Sequence, residues 1–259
     1  MTPSLLFVGL LAVAVLIAGA VNGIAGFGFA LVGTMALAAV IDPATAVVFM
    51  IVPILSVNLS LVRDLSATQL RTCGRRFKPL VLAALVGTLV GMVILERLPE
   101  GPLRVGLGVL SLGFVASAQR VVPLPGLSRA RDRCFVETPL AMAGVGGVSG
   151  LLFGSTNVGV QLIAYLRSCN LSHGTFVGVV AMVFLGLNAI RVGAAGVLGL
   201  YSSSTIFLAS LAAAVPAVAG VAVGKRLRDR IAERHRRAAV LGLLTVIGVQ
   251  LVLAGFGIV

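Results

Sequence analysis

Polar and apolar residues in this chain segregate into long blocks. Apolar runs of membrane-crossing length recur at 43–62, 79–95, 205–224 and 238–258, with short polar connections between them. Such runs lack period-two alternation and outlast a strand, which predicts helices and excludes a β-barrel. The pattern therefore predicts an all-α, polytopic membrane protein with full spans near 43–62, 79–96, 102–119, 173–195, 205–224 and 238–258.

Composition agrees. The chain is 59% hydrophobic and 11% charged, with mean hydropathy +1.12, whereas soluble domains carry about 25% charged residues. The net charge of +12 could suggest nucleic acid. Its location argues otherwise, because Lys and Arg cluster in the connections 63–78, 120–133 and 225–237. Basic loops between spans mark the cytoplasmic side of a plasma membrane. With these loops and Arg167 inside, all but Arg97, Arg104 and Arg191 of the 20 Lys/Arg are cytoplasmic. The start, "MTPSLLFVGLLAVAVLIAGA", has no basic leader and reads as the first membrane segment. Cys73, Cys134 and Cys169 are scattered and form no CxxC, so no metal, cofactor or disulfide framework is expected.

The chain is also weakly self-similar. "NGIAGF" at 22–27 aligns with "GGVSGL" at 146–151, and "PILSVN" ending at Asn58 aligns with "FLGLNA" around Asn188. "GTLVG" at 87–91 aligns with "GVAVG" at 220–224, and Arg104 with Arg237. Their common order predicts one unit used twice: residues 1–119, a cytoplasmic linker 120–136, and residues 137–259. Equivalent connections carry opposite charge bias. The basic 63–78 corresponds to the uncharged 197–204, and the neutral 96–104 to the basic 225–237. That is the charge signature of two inverted-topology repeats.

Chain length sharpens the picture. Glu137 and Arg167 both belong inside, yet two crossings need about 40 residues, more than residues 138–166 supply. This segment should enter the membrane and return, turning near Gly154. By symmetry residues 4–41 form the matching hairpin, turning near Gly26–Gly28, although their greater length also allows two tight crossings. Each repeat then consists of a broken-helix or re-entrant hairpin plus three transmembrane helices.

Irregular backbone at membrane depth persists only where protein or a water-filled cavity covers it. A broken helix exposes unpaired N–H groups at its positive end, and two opposed breaks would form an anion site near the midplane. Candidate substrate-binding residues are Asn22, Gly26, Phe27 and Gly28 in the first hairpin, and Ser149, Gly150, Ser155, Thr156, Asn157 and Gln161 in the second. Asn58, Asn188 and Arg191 join them from apolar helices. Arg191 follows Asn188 by three residues and shares its helix face. Its competing role is snorkelling to the outer interface, and that of the two asparagines is interhelical hydrogen bonding. "GTLVG" and "GVAVG" read as helix-packing motifs. "GIAGFG" is not a nucleotide motif, lacking both the G-x-G-x-x-G order and a Walker lysine. All eight acidic residues fall at segment ends or in loops, which disfavours a carboxylate cation site.

These features resemble the TauE/SafE family of sulfite and organosulfonate exporters over about residues 10–255. The first-repeat hallmark is "NGIAGFGFALVG", followed by "IDPATAV" and "PILSVN". The second is "GGVSGLLFGSTNVGVQLIAYL", then "LSHGTFVG" and "FLGLNAIRV". The resemblance implies a secondary transporter, not an enzyme, moving small anions such as sulfite or two- and three-carbon sulfonates by alternating access. One departure stands out: many relatives carry Gly-Pro-Pro where this chain has Thr156-Asn157-Val158-Gly159. An anion channel remains as an alternative. So does a rhomboid-like serine protease built on Ser149 and His173, though no Trp is present for a rhomboid-like loop. A proton or sodium coupling ion and a homodimer stay open.

Overall fold

The computed structural model describes residues 5–25, 28–62, 75–118, 138–169, 173–201, 203–228 and 230–258. Gly26, Phe27 and the expected linker 120–136 lie outside them. Every regular element among the described residues is a helix: α1 (Leu5–Ala25), α2 (Phe29–Ala38), α3 (Pro43–Phe49), α4 (Ile51–Val62), α5 (Lys78–Arg97), α6 (Glu100–Ala118), α7 (Pro139–Thr156), α8 (Val160–Ser168), α9 (His173–Val197), α10 (Ser204–Arg228) and α11 (Glu233–Gly255).

Local chemistry starts several of these helices where the sequence changes character. Asp42 caps α3 by accepting from the Thr45 N–H at 2.7 Å, with Pro43 following it. Thr138 caps α7 through the Ala141 N–H, again ahead of a proline. Both use a short polar acceptor for an orphan N–H and a proline where no donor is needed. At the other end of α1, Arg236 Nη1 donates to the Ile24 carbonyl at 3.3 Å, placing a cation on a helix C-terminus.

Among the described residues, six helical stretches are long and apolar enough to cross a bilayer: Pro43–Val62, Lys78–Arg97, Pro139–Thr156, Gly178–Val197, Ser204–Arg228 and Arg234–Gly255. The chain is thus a multi-pass helical membrane protein. Five stretches match expected spans, and the expected 102–119 span forms the 19-residue α6. The sixth, Pro139–Thr156, is the first arm of the second hairpin. Its return arm α8 has 9 residues, about 13 Å of helix, less than half a hydrocarbon core. The break falls at Asn157–Gly159, not at Gly154. Asn157 adopts φ 61 and ends α7, a left-handed conformation that asparagine tolerates. Gly154 is needed elsewhere, against a neighbouring helix. In the first hairpin α2 has 10 residues and begins at Gly28, with φ 101. At about 15 Å, α2 alone cannot make a second crossing.

Two close helix pairs organise the molecule. α1 packs along α10, where a Cβ on Gly19 or Gly23 would overlap the Ala217 or Val221 carbonyl. Reciprocally, a Cβ on Gly220 or Gly224 would overlap the Leu16 or Ala20 carbonyl. α7 packs along α5 in the same manner, with Gly146, Gly150 and Gly154 against the carbonyls of Leu80, Ala84 and Thr88. Gly87 and Gly91 face the Gly147 and Leu151 carbonyls in return. Residue numbers rise together in both pairs, so each is parallel. The packing role expected for 87–91 and 220–224 is what the structure shows, and it extends to Gly150 and Gly154. Gly23 and Gly154 occupy like positions. Gly147, which motif similarity sets opposite Gly23, has open space where its Cβ would be.

α6 and α11 pack antiparallel. A Cβ on Gly101 would press on the Gly255 carbonyl, and Ser111 Oγ donates to the Leu244 carbonyl at 2.9 Å. α4 lies against both α9 and α10. Outward positions such as Val86, Val215 and Val246 are exposed and apolar, as a lipid-facing surface requires.

The backbone contacts make a sharp prediction. Gly150→Val should lower the melting temperature in detergent or prevent folding, because overpacking costs roughly 1–3 kcal/mol even where neighbours can relax. Gly147→Ala, one turn away and facing open space, should leave the melting temperature unchanged or raise it. Equal effects of the two substitutions would contradict this packing.

Candidate functional site

The breaks in the two hairpins come together. A cavity of about 60 Å³ is lined by Asn22, Gly28–Leu31, Asn58, Asn157 and Gly159. Its remaining walls are apolar, including Ile54, Val57 and Leu61 of α4, Phe114 of α6, and Ile163, Val180 and Phe184. That volume holds a few waters, at roughly 10–15 Å³ each, or one small anion. Gly28 caps α2 and Gly159 caps α8. The first-turn N–H groups of a helix have no intrahelical acceptor, so both positive helix ends border the cavity. Asn22 Oδ1 accepts from the Phe29 N–H at 3.2 Å, tying α1 to the start of α2. Asn58 Nδ2 donates to the Ile54 carbonyl of its own helix at 2.9 Å.

Behind Asn157 lies Arg191, whose side chain is fully buried, so it does not snorkel to the interface. Nη1 donates to Asn157 Oδ1 and, at 3.3 Å, to Asn188 Oδ1. Nη2 donates to the Gly154 carbonyl at 3.3 Å. The guanidinium also lies 5.0 Å from the Phe153 ring centre. These partners are all neutral, and Nε has none. The cation thus sits at the C-terminal end of α7, where the macrodipole favours positive charge, and clamps that end to α9. In the connection between α9 and α10, burial pushes the Tyr201 phenol above its ordinary pKa, and the nearby Arg191 charge pulls it partly back.

Asn157 is the centre of this network. Nδ2 donates to Thr34 Oγ1 at 2.8 Å and to the Val47 carbonyl at 2.9 Å. Both amide hydrogens are used, and Oδ1 accepts from Arg191. One side chain therefore joins α7 to α2, α3 and α9, while one edge of the residue faces the cavity.

Of the residues expected at the site, Asn22, Gly28, Asn58 and Asn157 line the cavity. Arg191 and Asn188 reach it only through Asn157. Asn188 Nδ2 donates to the Phe184 carbonyl at 2.8 Å, the same bond one turn back that Asn58 makes. Gly150, Ser155, Thr156, Ser149 and Gln161 are not among the lining residues. Gly150 packs on α5, and the hydroxyls of Ser155 and Thr156 donate to carbonyls one turn back, at Leu151 and Leu152. Ser149 and Gln161 border a separate groove between α7 and α8, and neither Ser149 Oγ nor Gln161 Oε1 meets a hydrogen-bond partner. The apolar walls, Phe114 and Phe184 above all, carried no sequence signal that separates a cavity-lining aromatic from a packed one. Gly159 could have been found as the glycine ending the "STNVG" break.

A helical membrane protein with two broken helices meeting at a small internal cavity belongs architecturally with secondary transporters. The model of the sulfite exporter TauE/SafE family matches residues 11–251, nearly the whole chain, and the chain belongs to that family. No curated protein and no solved structure matches significantly. Family membership supports a membrane sulfite or sulfonate exporter, a transporter and not an enzyme.

Thr34→Val removes one acceptor from the Asn157 amide at nearly constant volume. It leaves a buried donor without its partner, which costs about 1–3 kcal/mol. The melting temperature in detergent should fall, and an unchanged value would show that this bond is not formed in solution.

Proposed function

We propose that this protein moves a small oxyanion, such as sulfite or a two- or three-carbon sulfonate, across the plasma membrane by alternating access. The observation that carries this reading is the convergence of the α2 and α8 N-termini, at Gly28 and Gly159, on one cavity beside Asn22 and Asn58. Each helix start presents roughly half a positive charge and free N–H donors. Asn22 and Asn58 each keep amide donor capacity for an oxygen. No charged side chain lines the cavity among the described residues. In the closed cavity an anion meets dipoles and no full charge at contact, which holds it firmly enough to enter and weakly enough to move on. The apolar remainder accommodates a short carbon chain.

Two inverted repeats, divided near the 120–136 linker, supply the moving parts. The reading is supported by the exchange of like contacts, α1 with α10 and α7 with α5, and by the antiparallel α6–α11 pair. In structural register Gly19 answers to Gly150, Gly23 to Gly154 and Gly28 to Gly159. Alternating access then rocks the hairpins about the shared cavity. With the basic connections inside, the α4 and α6 residues Leu61 and Phe114 lie toward the cytoplasm, and the Asn157 network closes the outer side.

Thermal shift against sulfite, sulfoacetate, sulfolactate and simple carboxylates tests binding, since a ligand of the folded state raises the melting temperature. Saturable uptake with counterflow in liposomes then separates a carrier from a channel. Asn22→Ala and Asn58→Ala should each weaken binding of the stabilising anion roughly ten- to hundredfold, the worth of one hydrogen bond to a charged group. If no anion stabilises the protein and liposomes show no flux, the proposal fails.

A further inference from the structure

Arg191 holds a full charge away from water with only neutral partners, and its closest is Asn157 Oδ1. An amide oxygen is a weak ligand for a guanidinium. An oxyanion forms charge-assisted bonds about twice as strong. Asn157 therefore stands between the cavity and a cation that an anion would satisfy better. It also holds the second hairpin to the first repeat, through Thr34 and the Val47 carbonyl. Its backbone is the one non-glycine at positive φ among the described residues, a conformation kept in place by these side-chain bonds.

Resting on the transport reading above, we infer that Asn157 is a latch released by ligand exchange at Arg191. The transported anion first docks at the helix N-termini. It then displaces Asn157 Oδ1 from the guanidinium and takes the bond itself. Asn157, no longer anchored from the Arg191 side, gives up Thr34 and Val47, and the two repeats separate on that side. Substrate binding and opening are one event, because the same nitrogen serves the latch when the cavity is empty and the anion when it is full. Arg191 is in this sense a coupling residue, and the unpartnered Nε supplies a second donor for the incoming anion. No covalent step is involved.

The test uses Val47→Cys, a buried position at the latch, in full-length protein whose three native cysteines are replaced by serine. Labelling by a membrane-impermeant thiol reagent, applied to the outer face of oriented vesicles, reports opening. The anion probes are sulfite and, in a parallel series, sulfoacetate. Labelling should be slow without them and accelerate when either is added. Asn157→Ala or the near-isosteric Thr34→Val should speed labelling roughly tenfold or more without any anion, as expected for lost buried hydrogen bonds. Arg191→Gln should abolish the acceleration by anion while the thermal shift from cavity binding persists in reduced form. Arg191→Lys should restore part of the acceleration. If Asn157→Ala and Thr34→Val both label as slowly as the parent, Asn157 is not a latch. If Arg191→Gln keeps the full anion-dependent acceleration, the exchange is overturned while the transport reading stands. If no anion stabilises the parent, the transport reading falls, and the exchange with it.

Discussion

Breaking a helix inside a membrane strands backbone N–H and C=O groups where no water can satisfy them, and each stranded group costs several kcal/mol. This structure breaks two helices, and much of its polar chemistry answers that cost. Asn22 takes the first free N–H of α2, and Thr156 Oγ1 takes the Val158 N–H in the second break. Arg191 takes the Gly154 carbonyl at the end of α7, and Arg236 takes the Ile24 carbonyl at the end of α1. The caps that begin α2 and α8, Gly28 and Gly159, border the cavity. The helix breaks and the cavity therefore coincide.

The breaks need a rigid frame, and glycine provides it. α1 lies on α10, and α7 on α5, so closely that side chains at the contact positions would overlap backbone carbonyls. Without a hydrophobic drive between helices in lipid, such close van der Waals contact is a principal source of association. The long arm of each hairpin is thereby fixed to a full-length helix of the other half of the chain. The short arms, α2 and α8, carry the cavity-facing ends; α2 is buried along most of its length, whereas α8 packs mainly on α7 and α9.

Arg191 shows how far residue type alone leads. Its place three residues after Asn188 in an apolar helix left it either a site residue or a snorkelling one, and its burial excludes the second. Its nearest partner, Asn157, comes from another helix, and that residue's own partners, Thr34 and Val47, come from the other half of the chain. No local pattern encodes such meetings. The glycines teach a related lesson. Both "NGIAG" and "GGVSG" carry small residues at helical spacing, so similarity of motif could not say which glycine faces a neighbour. Gly154, not Gly147, meets a neighbouring helix carbonyl as Gly23 does, and the second break falls at Asn157.

What the sequence determined by itself was everything governed by solvent and by distance along the chain. The bilayer demands long apolar helices, and their lengths and charges are written locally. Basic connections set the expected orientation, and a segment too short for two crossings is expected to turn back. Capping residues such as Asp42 and Thr138 mark helix starts for the same local reason. The tertiary structure alone decided which broken ends meet, which polar groups face the cavity and which serve packing. Those choices rest on contacts between residues far apart in the chain, and they are settled by which arrangement leaves the fewest backbone groups unpaired in the membrane.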